Sequence, residues 1–207
     1  MANKQIKTNL IQAYNRQAEQ RNKGGIEDWK VVERAYFLSL LQQQNKQLLL
    51  EIGTGHGRDS LFFQEQGFKV TGIDISLAMA SLCRKKGIPA FVMDMVELGF
   101  ENNSFDAVYA LNSFLHLPKS EFPKALENAC NVLKPAGLFY LGMYGGFDFE
   151  GIWDQDTYTP KRFFSFHSDD NLKKILDGIF EIVYFRHIAL GADNRPFQSI
   201  ILRKRVS

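Results

Sequence analysis

Residues Leu48 to Phe63 read LLLEIGTGHGRDSLFF, and the architecture of the chain can be worked out from this stretch. An apolar run ends with Glu51 and Ile52, three glycines follow at alternate positions, and a helical pattern begins near Arg58. Glycine lacks a Cβ and tolerates a left-handed backbone, so it lets a chain turn tightly and approach a ligand closely. The stretch therefore predicts a strand, a ligand-binding turn and a helix, in that order.

Strands and helices alternate on both sides of this turn. The predicted strands are Leu48–Ile52, Phe68–Ile73, Ala90–Met93, Asp106–Leu111, Leu138–Met143, 179–188 and 197–204. Predicted helices precede, separate or follow them at 5–20, 28–43, 58–66, 77–86, 120–133 and 169–177. This alternation is typical of an α/β fold with a doubly wound, mostly parallel sheet. The last two strands are joined by too few residues for a parallel crossover, so the final strand is predicted to be antiparallel.

Composition limits the class of protein. The 207 residues are 45% hydrophobic and carry a net charge of +2, which suits one domain without a general attraction to nucleic acid or membranes. The first residues lack the apolar segment of a signal peptide, and no apolar run approaches the roughly 18–20 residues that span a bilayer. Cys83 and Cys130 have no metal-site spacing. We expect a cytoplasmic monomer or homodimer with no metal, no DNA partner and no membrane partner.

The glycine turn does not fit a dinucleotide or a phosphate loop. The dinucleotide fingerprint has its third glycine three residues after the second, where this chain has Arg58. Glu51, two residues before the first glycine, would repel a pyrophosphate and would suit a cationic ligand. An NAD-dependent oxidoreductase therefore remains only a distant alternative.

Two further acids end neighbouring strands. Asp74 closes the second predicted strand, where a carboxylate can accept hydrogen bonds from both hydroxyls of a ribose; capping the next helix is its alternative role. Asp94 follows the third strand and could accept from an exocyclic amine, with the backbone of Met95 against the edge of a base. Together with Glu51, these acids predict a site for a nucleoside with a cationic tail and no phosphate.

These motifs resemble those of the class I S-adenosylmethionine-dependent methyltransferases. The matching features are ExGxGxG at Glu51–Gly57, the acids Asp74 and Asp94, FDAVYALNSFLHLP at Phe105–Pro118 and VLKPAG at Val132–Gly137. They occur in the family's order and spacing over roughly residues 47–143. Ala136 stands where the family usually has a second glycine.

The resemblance implies a Rossmann-like sheet of seven strands in the order 3-2-1-4-5-7-6, with strand 7 antiparallel and N-terminal helices before it. We expect a single domain: a helical cap at 1–45, a cofactor-binding core at 46–143, a substrate-side loop at 144–167, and a helix and strand pair at 168–207. The implied cofactor is S-adenosylmethionine, with S-adenosylhomocysteine as product. The residues implied to bind it are Tyr14, Glu51, Gly53, Thr54, Gly55, Asp74, Ile75, Asp94, Met95 and Asn112. Among them, Asn112 is implied to lie near the sulfonium and Tyr14 to fold over the donor.

The implied reaction is a direct displacement at a methyl group that the sulfonium already activates. The protein then has to align the reactants, and neither a metal nor a covalent intermediate is required. A general base helps only when the acceptor arrives protonated. His116, just past the fourth strand, is the candidate for that catalytic role by its position, and a structural or pocket-lining role is the alternative.

Residues 144–167 are predicted to carry the acceptor site. Aromatic side chains crowd this segment, and aromatic walls with a few polar groups suit a small-molecule pocket. The residues predicted to contact substrate are Glu150, Trp153 and Tyr158. The three aromatics expected instead to cover the sheet are Phe163, Phe164 and Phe166. The acids interleaved with the aromatics could favour an amine or another cation as acceptor.

Other classes of acceptor and function stay open at this stage. A nucleic-acid methyltransferase would be expected to carry a [DN]PP[YF] motif or a Pro-Cys nucleophile, together with a basic groove. The fourth strand ends instead in Leu111-Asn112-Ser113-Phe114. An RNA or protein acceptor, and a non-catalytic protein that only binds S-adenosylmethionine, remain alternatives to a small-molecule methyltransferase.

Overall fold

The apolar runs of the sequence form one central sheet with helices on both faces. The computed structural model describes residues 3–191 and 195–206. Its helices are α1 (Asn3–Asn22), α2 (Asp28–Gln43), α3 (Arg58–Glu65), α4 (Leu77–Lys85), α5 (Phe122–Val132) and α6 (Asp169–Asp177). Its strands are β1 (Leu48–Ile52), β2 (Lys69–Asp74), β3 (Ala90–Val92), β4 (Phe105–Leu111), β5 (Leu133–Tyr144), β6 (Phe149–Ile152), β7 (Phe163–Phe166), β8 (Glu181–Ile188) and β9 (Phe197–Arg203). A short 3₁₀ turn covers Phe114–His116.

The main sheet has seven strands in the order β3-β2-β1-β4-β5-β9-β8. The first five in this order are parallel to one another, and β9 is antiparallel to both of its neighbours. Because β6 and β7 lie outside this sheet, the order is the predicted 3-2-1-4-5-7-6, and the prediction is confirmed. The short connection that forces the antiparallel pair includes residues 192–194, which lie outside the described residues.

Each face of the sheet buries its own aromatic cluster, because a parallel sheet is covered by helices on both sides. On one face, Phe37 of α2 packs against Phe63, Tyr109 and Tyr140, and the two tyrosine rings stack with centroids 4.8 Å apart. On the opposite face, the cluster includes Phe139 and is covered by α5 and α6. The long helix α1 packs on α4 through Ala18 and so lies over one end of the sheet. Within the described ranges, no helix has the length and apolar character needed to cross a membrane.

The segment 144–167, predicted as a loop, contains an antiparallel hairpin. Strands β6 and β7 pair from Phe149 with Phe166 to Ile152 with Phe163, as a two-stranded sheet of their own. Every residue of β7 is buried, and Phe164 and Phe166 belong to the core cluster on this side of the sheet. The sequence FFSF shows no alternation of apolar and polar residues, because both faces of β7 are buried, and the strand was missed for that reason.

Strand β5 begins at Leu133, earlier than predicted, because the turn-like Lys134–Gly137 is taken into the strand as an irregularity. Within it, Ala136 adopts a left-handed backbone with φ 59°. This is the position where the resembling family usually has glycine. A left-handed conformation costs an L-residue roughly 1–2 kcal/mol, so the chain carries local strain here.

Ala136→Gly is therefore expected to raise the free energy of unfolding by about 1 kcal/mol, after allowance for the greater freedom of glycine in the unfolded chain. Ala35→Gly, at an exposed position within α2, is the matched control and should lower it by about 1 kcal/mol. Urea unfolding of both variants measures the difference. Equal destabilisation by the two substitutions would show that Ala136 is not left-handed in solution.

Candidate functional site

The turn after β1 brings backbone to the carboxyl edge of the sheet. Gly53 and Gly55 have φ of 78° and 55°, and the N–H groups of Gly53 and Thr54 both donate to the Ile73 carbonyl at 2.8 Å. A Cβ on Gly53 would overlap the Cβ of Ser113, whereas a Cβ on Gly55 would meet no atom within 4 Å. The first glycine is thus required for packing, and the second faces open space.

That open space is a cavity outside the ends of β1, β2 and β4, which we call the strand-end cavity. Its walls include eight of the ten residues predicted to bind cofactor: Tyr14, Gly53, Gly55, Asp74, Ile75, Asp94, Met95 and Asn112. Helix α1 closes it from above with Ile6, Lys7 and Leu10 as well as Tyr14. Its volume of about 90 Å³ is below the roughly 300 Å³ at which small-molecule sites begin. A nucleoside would need more room than the described residues leave in this cavity.

Asp74 anchors the turn while facing this cavity. Its Oδ2 accepts from the Gly55 N–H at 2.9 Å and its Oδ1 accepts from the Ser76 N–H at 2.8 Å. Burial raises the pKa of Asp74, and the two backbone N–H groups oppose that shift. A carboxylate has about four lone-pair sites, so each oxygen keeps the capacity to accept a hydroxyl proton.

Lys7 is a residue of this site that the sequence analysis missed. Its Nζ lies 2.9 Å from Oδ2 of Asp94 and 3.2 Å from Oε2 of Glu121, so it joins α1 to the edge of the cavity. The other oxygen of Asp94, Oδ1, accepts from the Val96 N–H at 3.0 Å. A signal was present in the sequence, because Lys7 and Tyr14 are seven residues apart and therefore share a helix face.

Glu51 and Thr54 were predicted to bind cofactor. They line neither the strand-end cavity nor the second cavity described below. Glu51 is buried beneath the turn and forms hydrogen bonds with the hydroxyls of Thr54 and Ser60. Burial and the nearby Asp59 raise the pKa of Glu51 to about 8. The raised pKa favours the protonated carboxyl group, which supports the turn from inside.

His116 lies at the far end of the strand-end cavity with both ring nitrogens engaged. Nδ1 is 2.8 Å from the Phe163 carbonyl, which can only accept, so Nδ1 carries the hydrogen. Nε2 is then the acceptor for the Tyr14 hydroxyl at 2.7 Å. Burial and the charge of Arg162 lower the pKa of His116 to about 3. The ring is neutral and firmly oriented, and it is a weak base.

A second space, the hairpin cavity, adjoins the first on the side of β7. It measures about 360 Å³ and shares Tyr14, Arg21, Asn112 and His116 with the strand-end cavity. Asn112 has a left-handed backbone with φ 56°, and its buried Oδ1 has no hydrogen-bond partner within the described part of the chain. An unpaired polar atom thus lies where the two cavities meet, and a bound molecule could satisfy it.

Three side chains predicted to contact substrate line neither cavity: Glu150, Trp153 and Tyr158. The Glu150 carboxylate accepts from the Lys119 N–H at 2.8 Å, on the outer side of the hairpin. Trp153 packs on the ring of Phe166, and the Tyr158 hydroxyl accepts from Arg21 at 3.0 Å. Trp153 and Tyr158 therefore contact two residues that line the hairpin cavity, Phe166 and Arg21, without lining it themselves. Its aromatic walls are instead Tyr144, Phe164 and Phe166.

Comparison with known proteins agrees with this geometry. Residues 49–137 match the sequence model of the family described as methyltransferase domain. Glycine N-methyltransferase of Rattus norvegicus is 33% identical over 128 residues, which cover 52% of this chain and 44% of that protein. Phosphoethanolamine N-methyltransferase 2 of Caenorhabditis elegans is 28% identical over 171 residues, covering 77% and 37%. The matches thus span less than half the length of these curated relatives.

Over residues 49–137 the chain is thus similar to methyltransferase domains, and its sheet has the Rossmann-like fold of methyltransferases. A solved structure with the same fold is 1,6-didemethyltoxoflavin-N1-methyltransferase of Burkholderia thailandensis. It has a TM-score of 0.77 at 18% identity, over 100% of this chain and 92% of that one. At this identity the likeness concerns the fold.

The strand-end cavity fits S-adenosylmethionine, the cofactor that the resemblance implies, in its chemistry. Asp74 offers lone pairs to ribose hydroxyls, and Asp94 and Met95 stand at the end of β3 where a base would lie. The space beside Gly55 admits a ligand close to the backbone, and the Oδ1 of Asn112 is an acceptor without a partner among the described residues.

Glu51→Gln tests the raised pKa of the carboxyl group beneath the glycine turn. The folded pKa is about 8 against an ordinary value of 4.5, so between these values the folded state keeps a proton that the unfolded state has lost. The stability of the native protein should therefore fall as the pH rises across this window. Glutamine cannot titrate, so the variant should gain stability relative to the native protein with rising pH.

Urea unfolding from about pH 5 to pH 8 measures this change. The control is Glu181→Gln, which removes an exposed carboxylate paired with Arg203. If Glu51→Gln kept the pH dependence of the native protein, the carboxyl would be ionised in the folded state.

Proposed function

We propose that the protein transfers a methyl group from S-adenosylmethionine to a small-molecule acceptor. The observation that carries the proposal is the junction of two cavities at Tyr14, Asn112 and His116. One cavity presents the residues of a nucleoside site, and the other has the volume of a small-molecule pocket. The names of the relatives support it, because glycine and phosphoethanolamine are both small acceptors.

In this proposal the chain's own residues bind and align the reactants. S-adenosylmethionine, when bound, supplies a methyl group activated by the sulfonium. Asp74 and the glycine turn hold the nucleoside side, and Asn112 orients groups at the junction through its unpaired Oδ1. Alignment of two reactants in one site can supply on the order of 7–11 kcal/mol of the barrier.

His116 is assigned a positioning role in place of the predicted general base. Its Nε2 holds the Tyr14 hydroxyl, and Nη1 of Arg162 donates to the same oxygen at 3.1 Å. The Tyr14 ring is thereby fixed between the two cavities. A neutral imidazole with a pKa of about 3 removes few protons, so the acceptor atom reacts in a form that already has a free electron pair.

The proposal includes a reducing, cytoplasmic setting. Cys83 is buried and Cys130 is partly buried, and both are free thiols. Unpaired cysteines are typical of proteins kept under reducing conditions.

Calorimetric titration with S-adenosylhomocysteine and with NAD tests the cofactor. We expect micromolar binding of S-adenosylhomocysteine and no binding of NAD. Asp74→Ala should weaken binding by about 2–4 kcal/mol, since the ribose loses two charge-assisted hydrogen bonds. Asp170→Ala, at an exposed position on α6, is the matched control and should leave the affinity unchanged. Tight binding of NAD, or no effect of Asp74→Ala, would contradict the assignment.

The acceptor class is tested with methyl-labelled S-adenosylmethionine. The protein is incubated separately with a deproteinised small-molecule extract, with total RNA and with a protein extract. Label should appear only in the small-molecule fraction. Labelled RNA or protein would contradict the proposal.

A further inference from the structure

Cations dominate the walls of the hairpin cavity. The basic residues that line it are Arg21, Lys30, Arg58, Arg162 and Arg195. Among the described lining residues, Glu27 is the only acid. The total net charge of the chain is only +2, so this concentration of one sign in the cavity where an acceptor would bind stands out.

Ion pairs neutralise only part of this charge. Lys30 lies 2.9 Å from Glu27, and Arg162 lies 2.6 Å from Asp156. For Arg21 and Arg195, no carboxylate lies within ion-pair distance in residues 3–191 and 195–206. The cavity therefore keeps at least two uncompensated positive charges on the residues that the structure describes.

Arg195 is the cation best placed to take a ligand. Its guanidinium carbon lies 4.7 Å from the ring centroid of Trp153 and 5.5 Å from that of Phe166, so aromatic rings hold it in place. Its Nη1 is buried and has no hydrogen-bond partner among the described residues. A buried donor without a partner costs free energy, and the fork of an arginine matches a carboxylate or a phosphate.

Burial and nearby cations affect a histidine in the wall of this cavity. His56, another lining residue, has a pKa lowered to about 4 by burial and by Lys86, Arg58 and Arg21. A bound sulfonium would add one more positive charge beside the same space. An amine or other cation entering here would be repelled at close range.

This positive charge argues against the sequence-based hypothesis of a cationic acceptor. That hypothesis rested on acids interleaved with the aromatics of 144–167, and the structure turns those acids to other partners. Asp148 pairs with Lys119 at 2.9 Å, and Asp156 pairs with Arg162. None of the acids in that segment lines either cavity.

We propose that the methyl acceptor is a small anion, with a carboxylate or phosphate group bound by Arg195 and an apolar or aromatic body against Tyr144, Phe164 and Phe166. The inference rests on the proposed function and names its substrate class. The anionic group neutralises the free charge of the cavity and satisfies the unpaired Nη1. The aromatic walls then hold the body of the acceptor beside the junction with the strand-end cavity.

Calorimetry on protein saturated with S-adenosylhomocysteine tests this with four probes: benzoate, phenyl phosphate, benzylamine and benzyl alcohol. At least one anion should bind, and the amine and the alcohol should not. The stronger of the two anions identifies the group that the site prefers. Arg195→Gln should weaken anion binding about tenfold or more, and should leave the affinity for S-adenosylhomocysteine unchanged.

Arg203→Gln is the matched control, because it removes an arginine that pairs with Glu181 on the far side of the sheet edge. It should change neither affinity. Arg195→Lys keeps the positive charge and loses the paired N–H donors of the guanidinium, so its anion affinity should fall between those of the native protein and Arg195→Gln. The lysine variant also replaces Arg195→Gln in this test if the glutamine variant fails to fold.

Binding of benzylamine or benzyl alcohol as tightly as the anions, failure of both anions to bind, or unchanged anion affinity in Arg195→Gln would overturn the inference. Failure of the proposed function has a different signature, namely no binding of S-adenosylhomocysteine to the native protein. In that case the same anion titrations on the protein alone still decide whether the cavity takes an anion.

Discussion

The turn between β1 and α3 runs through left-handed backbone at Gly53, Gly55 and Gly57, and the rest of the site depends on this constraint. Beneath it, the buried carboxyl of Glu51 and the hydroxyls of its neighbours form a small polar cluster that fixes the turn from inside. Any side chain at Gly57 would meet Cys83 of α4 at 2.8 Å. The turn can therefore pack closely against β2, α4 and the loop after β4. As a result, the carboxyl ends of β1, β2 and β4 lie next to one another around the strand-end cavity.

The strands of the main sheet and its antiparallel final pair could be predicted because each leaves a local signal, whereas the strand order was implied by the family resemblance. Buried parallel strands are short apolar runs, and the length of a connection decides whether neighbouring strands are parallel. The ends of the strands carried signals as well, since Asp74 and Asp94 do face the strand-end cavity. These are properties of segments a few residues long, which a single sequence displays directly.

Other parts of the site could not be predicted, because they depend on the direction of individual side chains and on residues that come from distant segments of the chain. Glu51 lies at the predicted place in the sequence, at the end of β1. Its side chain, however, is buried in the interior beneath the turn and does not face the strand-end cavity. Strand β7 carries no alternation to reveal it. Arg195 comes from the segment before β9, and only the antiparallel return of that strand places its guanidinium among the rings near β7.

The two cavities draw on different parts of the chain, and this has an evolutionary consequence. The span 49–137, which matches the methyltransferase domain family, supplies most walls of the strand-end cavity. Much of the hairpin cavity comes from outside that span, including the α1–α2 connection, the end of β5, β7 and Arg195. Under the proposed function, mutations outside residues 49–137 can therefore remodel the acceptor pocket while the donor site stays intact.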